Sequence, residues 1–372
     1  MRGWALTHAE KPFSPCLQHR ACRMGLGLAF ESSCDETGVA LVENGRRVIS
    51  APLFSQIAMH RPYGGIVPEY ASRAHLEKFT PLLAEILKAH PLAPGDLDYV
   101  AVTTRPGLVG ALLVGYQTAR AAARHFQVPL IGVHHLEAHL AAVRLSGHEL
   151  QFPALGMILS GGNSAIYRLS SVGQTELVGD TLDDAAGEAL DKAAQILRLG
   201  YPGGPAIEKQ AALYLERRGF LTGEEAKLDA ENPFPLILKS LERERVQFSF
   251  SGIKTALLRR FDAAKPEEVP ALAFFYQDRI VEHIVRNLAH AIGLNPKRPV
   301  IAAGGVLANQ RLRRALSQLC EKLRVPLIVP ENQFCTDNAA MVAAAAELYF
   351  EAGLKSPYTE ISSNNGFAAA KG

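Results

Sequence analysis

The sequence predicts an α/β protein made of two related lobes. Three observations carry that prediction. The chain has 372 residues, enough for two domains. Short apolar strands alternate with helical segments, as in a sheet covered on both faces. One arrangement also occurs twice: a strand, a small polar turn, a second strand and a hairpin.

The first copy starts at Leu26. Residues 26–30 alternate as a strand and run into Glu31-Ser32-Ser33-Cys34-Asp35-Glu36-Thr37-Gly38. Residues 39–42 follow, then Asn44-Gly45 and residues 47–49; Asn-Gly between apolar runs is a strong hairpin signal. In the second copy, residues 155–159 lead into Ser160-Gly161-Gly162-Asn163-Ser164, then residues 165–169 and 175–178. Helical spacing is expected over 74–90, 109–126, 183–199, 206–217, 274–292 and 309–323, with buried strands at 99–102, 130–133 and 300–303. The charged, proline-containing stretch 219–246 reads as surface loops. The expected division is lobe I over 24–150 plus 300–350, lobe II over 151–299, and a tail over 351–372. Residues 1–23 lack periodicity and a secretory apolar stretch, and read as a disordered leader or a false start before Met24.

Composition narrows the function. Hydrophobic residues are 48% and charged residues 20%, so a core can form and charge-rich disorder is excluded. Lys plus Arg total 39 against 37 Asp plus Glu, a net +2 that excludes a strongly basic binder but allows a local basic patch. The five cysteines form no C-x-x-C pair, which fits a reduced, cytoplasmic setting and not a disulfide scaffold. No apolar run approaches a membrane span, so no membrane partner is expected.

Four constellations carry chemistry. In His135-Leu136-Glu137-Ala138-His139 the histidines stand four apart, on one helical face, where both can reach one metal. Two surface or capping histidines are the alternative. Metalloprotease helices read H-E-x-x-H, and here Glu137 is misplaced for that role. Asp337 is the candidate third ligand, or else the cap of the alanine-rich helix after it. Two histidines and a carboxylate with open positions suit Fe(II) or Zn(II).

Second, Ser160-Gly161-Gly162-Asn163-Ser164 offers unobstructed backbone amides that can cradle a phosphate, Gly304-Gly305 closes a strand where it could hold an adenosine edge, and Gly203-Gly204 breaks the chain before another helix; ordinary chain punctuation is the alternative for each. Third, Asp183, Asp184, Glu188 and Asp191 cluster at a helix start. The helix dipole accounts for the early ones but not for Asp191, which suits a hydroxyl-rich ligand such as ribose. Fourth, Phe248 and Phe250 are interleaved with Lys254, Arg259 and Arg260, with Arg243 and Arg245 upstream. This is a candidate RNA contact, or an ordinary solvated basic face.

Together these strings resemble the TsaD family, the tRNA threonylcarbamoyladenosine transferases once described as O-sialoglycoprotein endopeptidases. The matching runs are Glu31-Ser-Ser-Cys-Asp-Glu-Thr, Gly64-Gly-Ile-Val-Pro-Glu, Pro106-Gly-Leu-Val-Gly, His134-His-Leu-Glu-Ala-His, Ser160-Gly-Gly, Asp183-Asp-Ala-Ala-Gly-Glu, Tyr201-Pro-Gly-Gly-Pro, Phe250-Ser-Gly-Ile-Lys-Thr, Gly304-Gly-Val and Cys335-Thr-Asp-Asn. They span residues 25–349 in family order.

The resemblance implies a duplicated actin-like, Hsp70-like and sugar-kinase-like ATPase fold with a nucleotide cleft. It implies transfer of the threonylcarbamoyl group of threonylcarbamoyl-AMP to N6 of adenosine 37, in tRNAs reading codons that begin with A, with release of AMP. It assigns His135, His139 and Asp337 to one divalent metal per subunit, Fe(2+) first and Zn(2+) second. It assigns Ile158, Leu159, Ser160, Gly161 and Gly162 to the phosphate side, and Asp191, Gly204, Glu208 and Asn309 to ribose and base. Asp35 or Glu36 is the expected base. Implied partners are tRNA, a TsaB-like paralogue, a TsaE-like ATPase using ATP and Mg(2+), and a TsaC-type synthase supplying the donor. Departures from the pattern are Ser32, Arg105, Ala138, Asn163-Ser164 and Glu208. The rival expectations are a small-molecule kinase on this fold, a metalloprotease and a non-catalytic scaffold.

Overall fold

A computed structural model describes residues 25–220, 223, 228, 230–235, 246–261, 265–354 and 358–364. The leader 1–23, Met24, Arg243, Arg245 and much of 219–246 lie outside the described residues.

The first sheet contains β1 (Leu26–Glu31), β2 (Glu36–Glu43), β3 (Arg47–Ser50), β4 (Leu53–Ser55), β5 (Tyr99–Arg105) and β6 (Leu130–His134). Its order is β3-β2-β1-β5-β6, with β4 paired to β2. The second contains β7 (Ala154–Leu159), β8 (Ser164–Ser171), β9 (Gln174–Thr181), β10 (Val246–Phe248), β11 (Val300–Ala303) and β12 (Leu327–Ile328), in the order β10-β9-β8-β7-β11-β12. In each sheet an antiparallel meander is followed by two strands added in parallel on the far side of its first strand. The repeated syntax of the sequence is therefore a repeated topology.

Lobe membership differs from the expected division at one place. Residues 300–328 were expected in lobe I, but β11 pairs with β7 and β12 with β11, in the second sheet. A short apolar strand carries no label of its sheet; only the hydrogen-bonded neighbour decides. Of the expected 300–350 segment, only its end, from Asp337 through the helix at 339–351, returns to lobe I.

The helices are α1 (Ile57–His60), α2 (Pro68–Ala89), α3 (Val109–Phe126), α4 (His135–Ala141), α5 (Ala186–Ile196), α6 (Gly203–Arg217), α7 (Ser251–Phe261), α8 (Val269–Leu294), α9 (Gln310–Lys322) and α10 (Ala339–Glu351). Both faces of the first sheet are covered. Leu28, Phe30, Val39 and Leu41 face Phe79 of α2 and Ala119 of α3, while Ala29, Ala40 and Val42 face α10. Residues 339–346 of α10 are all buried; their alanines let the helix lie close to the sheet.

α4 is buried on every side, as befits a helix between two layers. Ala138 and Ala141 pack with α10 in lobe I; Leu136 and Leu140 pack with Ile158 and Tyr167 in lobe II. No described helix is long and apolar enough to cross a membrane.

Candidate active site

The turns that leave the C-terminal ends of β1, β5 and β7, with the start of α4 after β6, converge on one cleft of ≈ 700 Å³ between the lobes. Crevices outside strand C-termini are where open α/β sheets hold ligands. Lobe I supplies Ser33, Asp35, Gly107, His135 and Asp337; lobe II supplies the Ser160–Asn163 turn, Asp191 and Lys192.

At the floor, donor atoms of His135, His139 and Asp337 lie within 4.8 Å of one another. Asp337 Oδ1 is 3.1 Å from His139 Nε2 and 3.4 Å from His135 Nε2. Both ring nitrogens of His139 are buried without an aligned hydrogen-bond partner among the described residues. Two buried imidazoles converging on one carboxylate, with no aligned hydrogen bond at His139, fit a cation.

Asp337 is free to face the histidines because it does not cap α10. Asn338 does, accepting from the Met341 amide at 2.9 Å. Burial alone would raise the Asp337 carboxyl, but His135 and His139 hold it well below the carboxylate range. Burial would likewise depress His135, yet Asp337 and Glu31 raise it well above its ordinary value.

Glu31 is a site residue that the sequence reading did not single out. It is fully buried, accepts from the Ser33 amide at 2.6 Å and from the Thr103 hydroxyl, and lies 3.4 Å from His135 Nδ1. Ser33 Oγ is 3.2 Å from the same nitrogen. Glu31 therefore orients the His135 ring from behind, as outer partners of metal-binding histidines do. A glutamate ending a buried strand was the available signal. Glu137 points the other way, to Thr175 Oγ1 at 2.8 Å, Tyr358 at 3.1 Å and Tyr349, all of which donate to it. It cannot activate water at the histidines.

The two candidate bases separate. Asp35 lines the cleft; Glu36 does not. Burial, then the hydrogen bond and charge of Asp35, push Glu36 up to about 10, so it keeps its proton at neutral pH.

On the lobe II side, Ser160 and Asn163 close a tight turn through Ser160 N to Asn163 O (2.8 Å) and Asn163 N to Ser160 Oγ (3.1 Å). Open space surrounds Gly161 and Gly162. The side chains of Ile158 and Leu159 instead fill the two cores flanking β7, so they support the turn from inside. Gly187, also unanticipated, brings the start of α5 against this turn. Its amide donates to Ser160 O at 3.2 Å, and a Cβ there would meet that oxygen at 2.7 Å.

Asp191 lines the cleft and accepts from the Gly203 amide at 2.7 Å, at the start of α6. Gly204 borders open space. Glu208 accepts from the Gln310 amide at 2.7 Å, and Asn309 caps α9 at Leu312 while donating to Gln277. Neither lines this cleft.

Lys254 is engaged within the lobe, 2.8 Å from Asp184, which also holds Lys192. Asp183 accepts from the Phe250 amide at 2.7 Å and from the Ser249 and Ser251 hydroxyls, clamping the turn before α7. Arg259 and Arg260 are exposed on α7, with Arg260 donating to Pro233 O.

Comparison with known proteins agrees with this geometry. The family model for TsaD, tRNA N6-adenosine threonylcarbamoyltransferase, matches residues 47–344. A protein of that name from Leptospira interrogans is 44% identical over 330 residues, covering 88% of this chain and 94% of its own length. One from Bacillus subtilis is 40% identical over 336 residues, covering 89% and 92%. Among solved structures, full-length HypF in a phosphate- and nucleotide-bound form superimposes with a TM-score of 0.51 at 13% identity. That match covers 88% of this chain and 46% of HypF, and shows a shared fold alone. The duplicated sheets, the trio of His135, His139 and Asp337 and the sequence relatives lead to one assignment: this chain belongs to the tRNA N6-adenosine threonylcarbamoyltransferase family.

Proposed function

We propose that the chain transfers the threonylcarbamoyl group of threonylcarbamoyl-AMP to N6 of adenosine 37 in tRNAs reading codons that begin with A, in the cytoplasm. The observation that carries this reading is one cleft bordered both by His135 and Asp337, which converge with the buried His139, and by the open Ser160–Gly162 turn. The trio would hold one Fe(2+), or Zn(2+), which when bound supplies positive charge and Lewis acidity toward a donor oxygen.

The chain's own residues do the remaining work. A Cβ at Gly161 or Gly162 would meet nothing within 4 Å, so the turn leaves room for the donor phosphate. Asp191 suits a ribose hydroxyl. Glu31 and Ser33 fix the His135 ring. Asp35 takes the N6 proton as the nitrogen bonds to the carbamoyl carbon, while the carbon–oxygen bond to phosphate breaks and AMP leaves. Protonated Glu36 donates a hydrogen bond to Asp35. The anhydride already has a good leaving group, so positioning is the main requirement. An unstacked anticodon-loop base is the kind of target RNA enzymes read. A TsaB-like paralogue, a TsaE-like ATPase with ATP and Mg(2+), and a TsaC-type synthase complete the proposed system.

The test is incubation with threonylcarbamoyl-AMP, unmodified tRNA and the partner proteins, followed by mass spectrometry of the digested nucleosides. Modified adenosine that is lost in His139→Ala supports the reading. No modification by a metal-loaded complex removes it in favour of the kinase or scaffold alternatives.

A further inference from the structure

Residues 358–364 run along lobe I to the edge of the cleft, on anchors that lobe I supplies. Tyr358 is buried and donates to Glu137 Oε1 at 3.1 Å. The Arg105 guanidinium lies 5.7 Å from the Tyr358 ring centroid, and Arg105 Nη2 donates to Glu360 O at 2.8 Å. Thr104 holds the same segment twice: its hydroxyl donates to Tyr358 O at 3.2 Å, and its carbonyl accepts from the Ser362 amide at 3.1 Å. The sheet leaves room for this contact. A Cβ at Gly132 would meet the Tyr358 carbonyl oxygen at 1.8 Å.

Past these anchors the segment reaches lobe II. Ser363 lines the ≈ 700 Å³ cleft, and Asn364 lines a second groove of ≈ 490 Å³. Gly162 and Asn163 border both spaces. The segment therefore borders both spaces beside the glycine turn, after leaving the end of β5.

We infer that residues 358–364 form a fixed wall of the donor cleft, with Ser363 touching the bound adenylate and Arg105 as the positioning residue. This rests on the transferase reading of the cleft. A mixed anhydride needs shelter from water on the side away from the acceptor, and a wall pinned at Thr104 and Arg105 supplies it. The Ser363 hydroxyl offers a hydrogen bond to an anionic oxygen of the donor.

The test uses AMP as probe, titrated calorimetrically into the full chain. Ser363 is exposed, so Ser363→Trp should fold, with an unchanged melting temperature. The expected result is AMP binding at least tenfold weaker. Arg105→Ala should raise the KM for the donor about fivefold with kcat within twofold, and should speed protease cleavage within 358–364. Ser363→Trp binding AMP as tightly as the unaltered chain would overturn the inference while leaving the cleft reading intact. Failure of the unaltered chain to bind AMP would instead sink the cleft reading, and the inference with it.

Discussion

Asp337 Oδ1 lies 3.1 Å from His139 Nε2, joining the segment before α10 to α4, which starts far earlier in the chain. Asn338 makes this possible by taking the cap of α10, leaving its neighbour free. Asn338→Ala should cost about 1 kcal/mol of stability, the usual worth of such a cap. It should also lower metal content, because Asp337 becomes the nearest oxygen for the freed amides. Asn338→Asp, which can still cap, should restore both. Thermal melts and elemental analysis of the three proteins check this.

Glu31→Gln keeps the shape but weakens the support of His135. Metal affinity should fall about 10–100-fold, the range for such outer partners. Chelator competition reads it directly. Unchanged affinity would remove Glu31 from the site.

Glu36 makes stability depend on pH. Burial, then Asp35, push its carboxyl in the folded chain up to about 10, against an ordinary value of 4.5. Between those values the unfolded chain binds fewer protons, so stability falls as pH rises. Glu36→Gln should flatten that slope and raise the melting temperature more at pH 8 than at pH 5. Equal gains at both would mean that Glu36 is ionised in the folded chain.

Two glycines should respond oppositely. In Gly187→Ala the new methyl meets the Ser160 carbonyl oxygen at 2.7 Å and Gly161 Cα at 2.8 Å. That is backbone against backbone, with an expected loss of about 1–3 kcal/mol. Gly162→Ala meets nothing within 4 Å. It should fold normally yet weaken AMP binding, because the methyl enters the ligand's space. Denaturation and calorimetry on both variants separate the effects.

The basic face of α7 also divides. Arg259→Ala should lower the salt dependence of tRNA binding by about one counterion. Lys254→Ala should leave that slope unchanged and reduce stability, since Lys254 is bound to Asp184. A change of slope in Lys254→Ala would restore it as an RNA contact.

The sequence by itself determined the two-lobed α/β class, because alternating strands and helices and a repeated meander are local patterns. It determined α3 to the residue, and it brought out His135 and His139 because helical spacing puts them on one face. It also opposed a protease role for Glu137, which the structure turns toward Thr175 and two tyrosines. Other features depend on contacts between distant segments. Only the tertiary structure decided that β11 joins the second sheet, that Asn338 and not Asp337 caps α10, that Glu31 stands behind His135, and that Lys254 is spent on Asp184. The physical reason is the same in each case. Residue type and spacing say what a side chain can do, while a hydrogen bond or ion pair also needs a partner at the right distance, and only the packed chain supplies that partner.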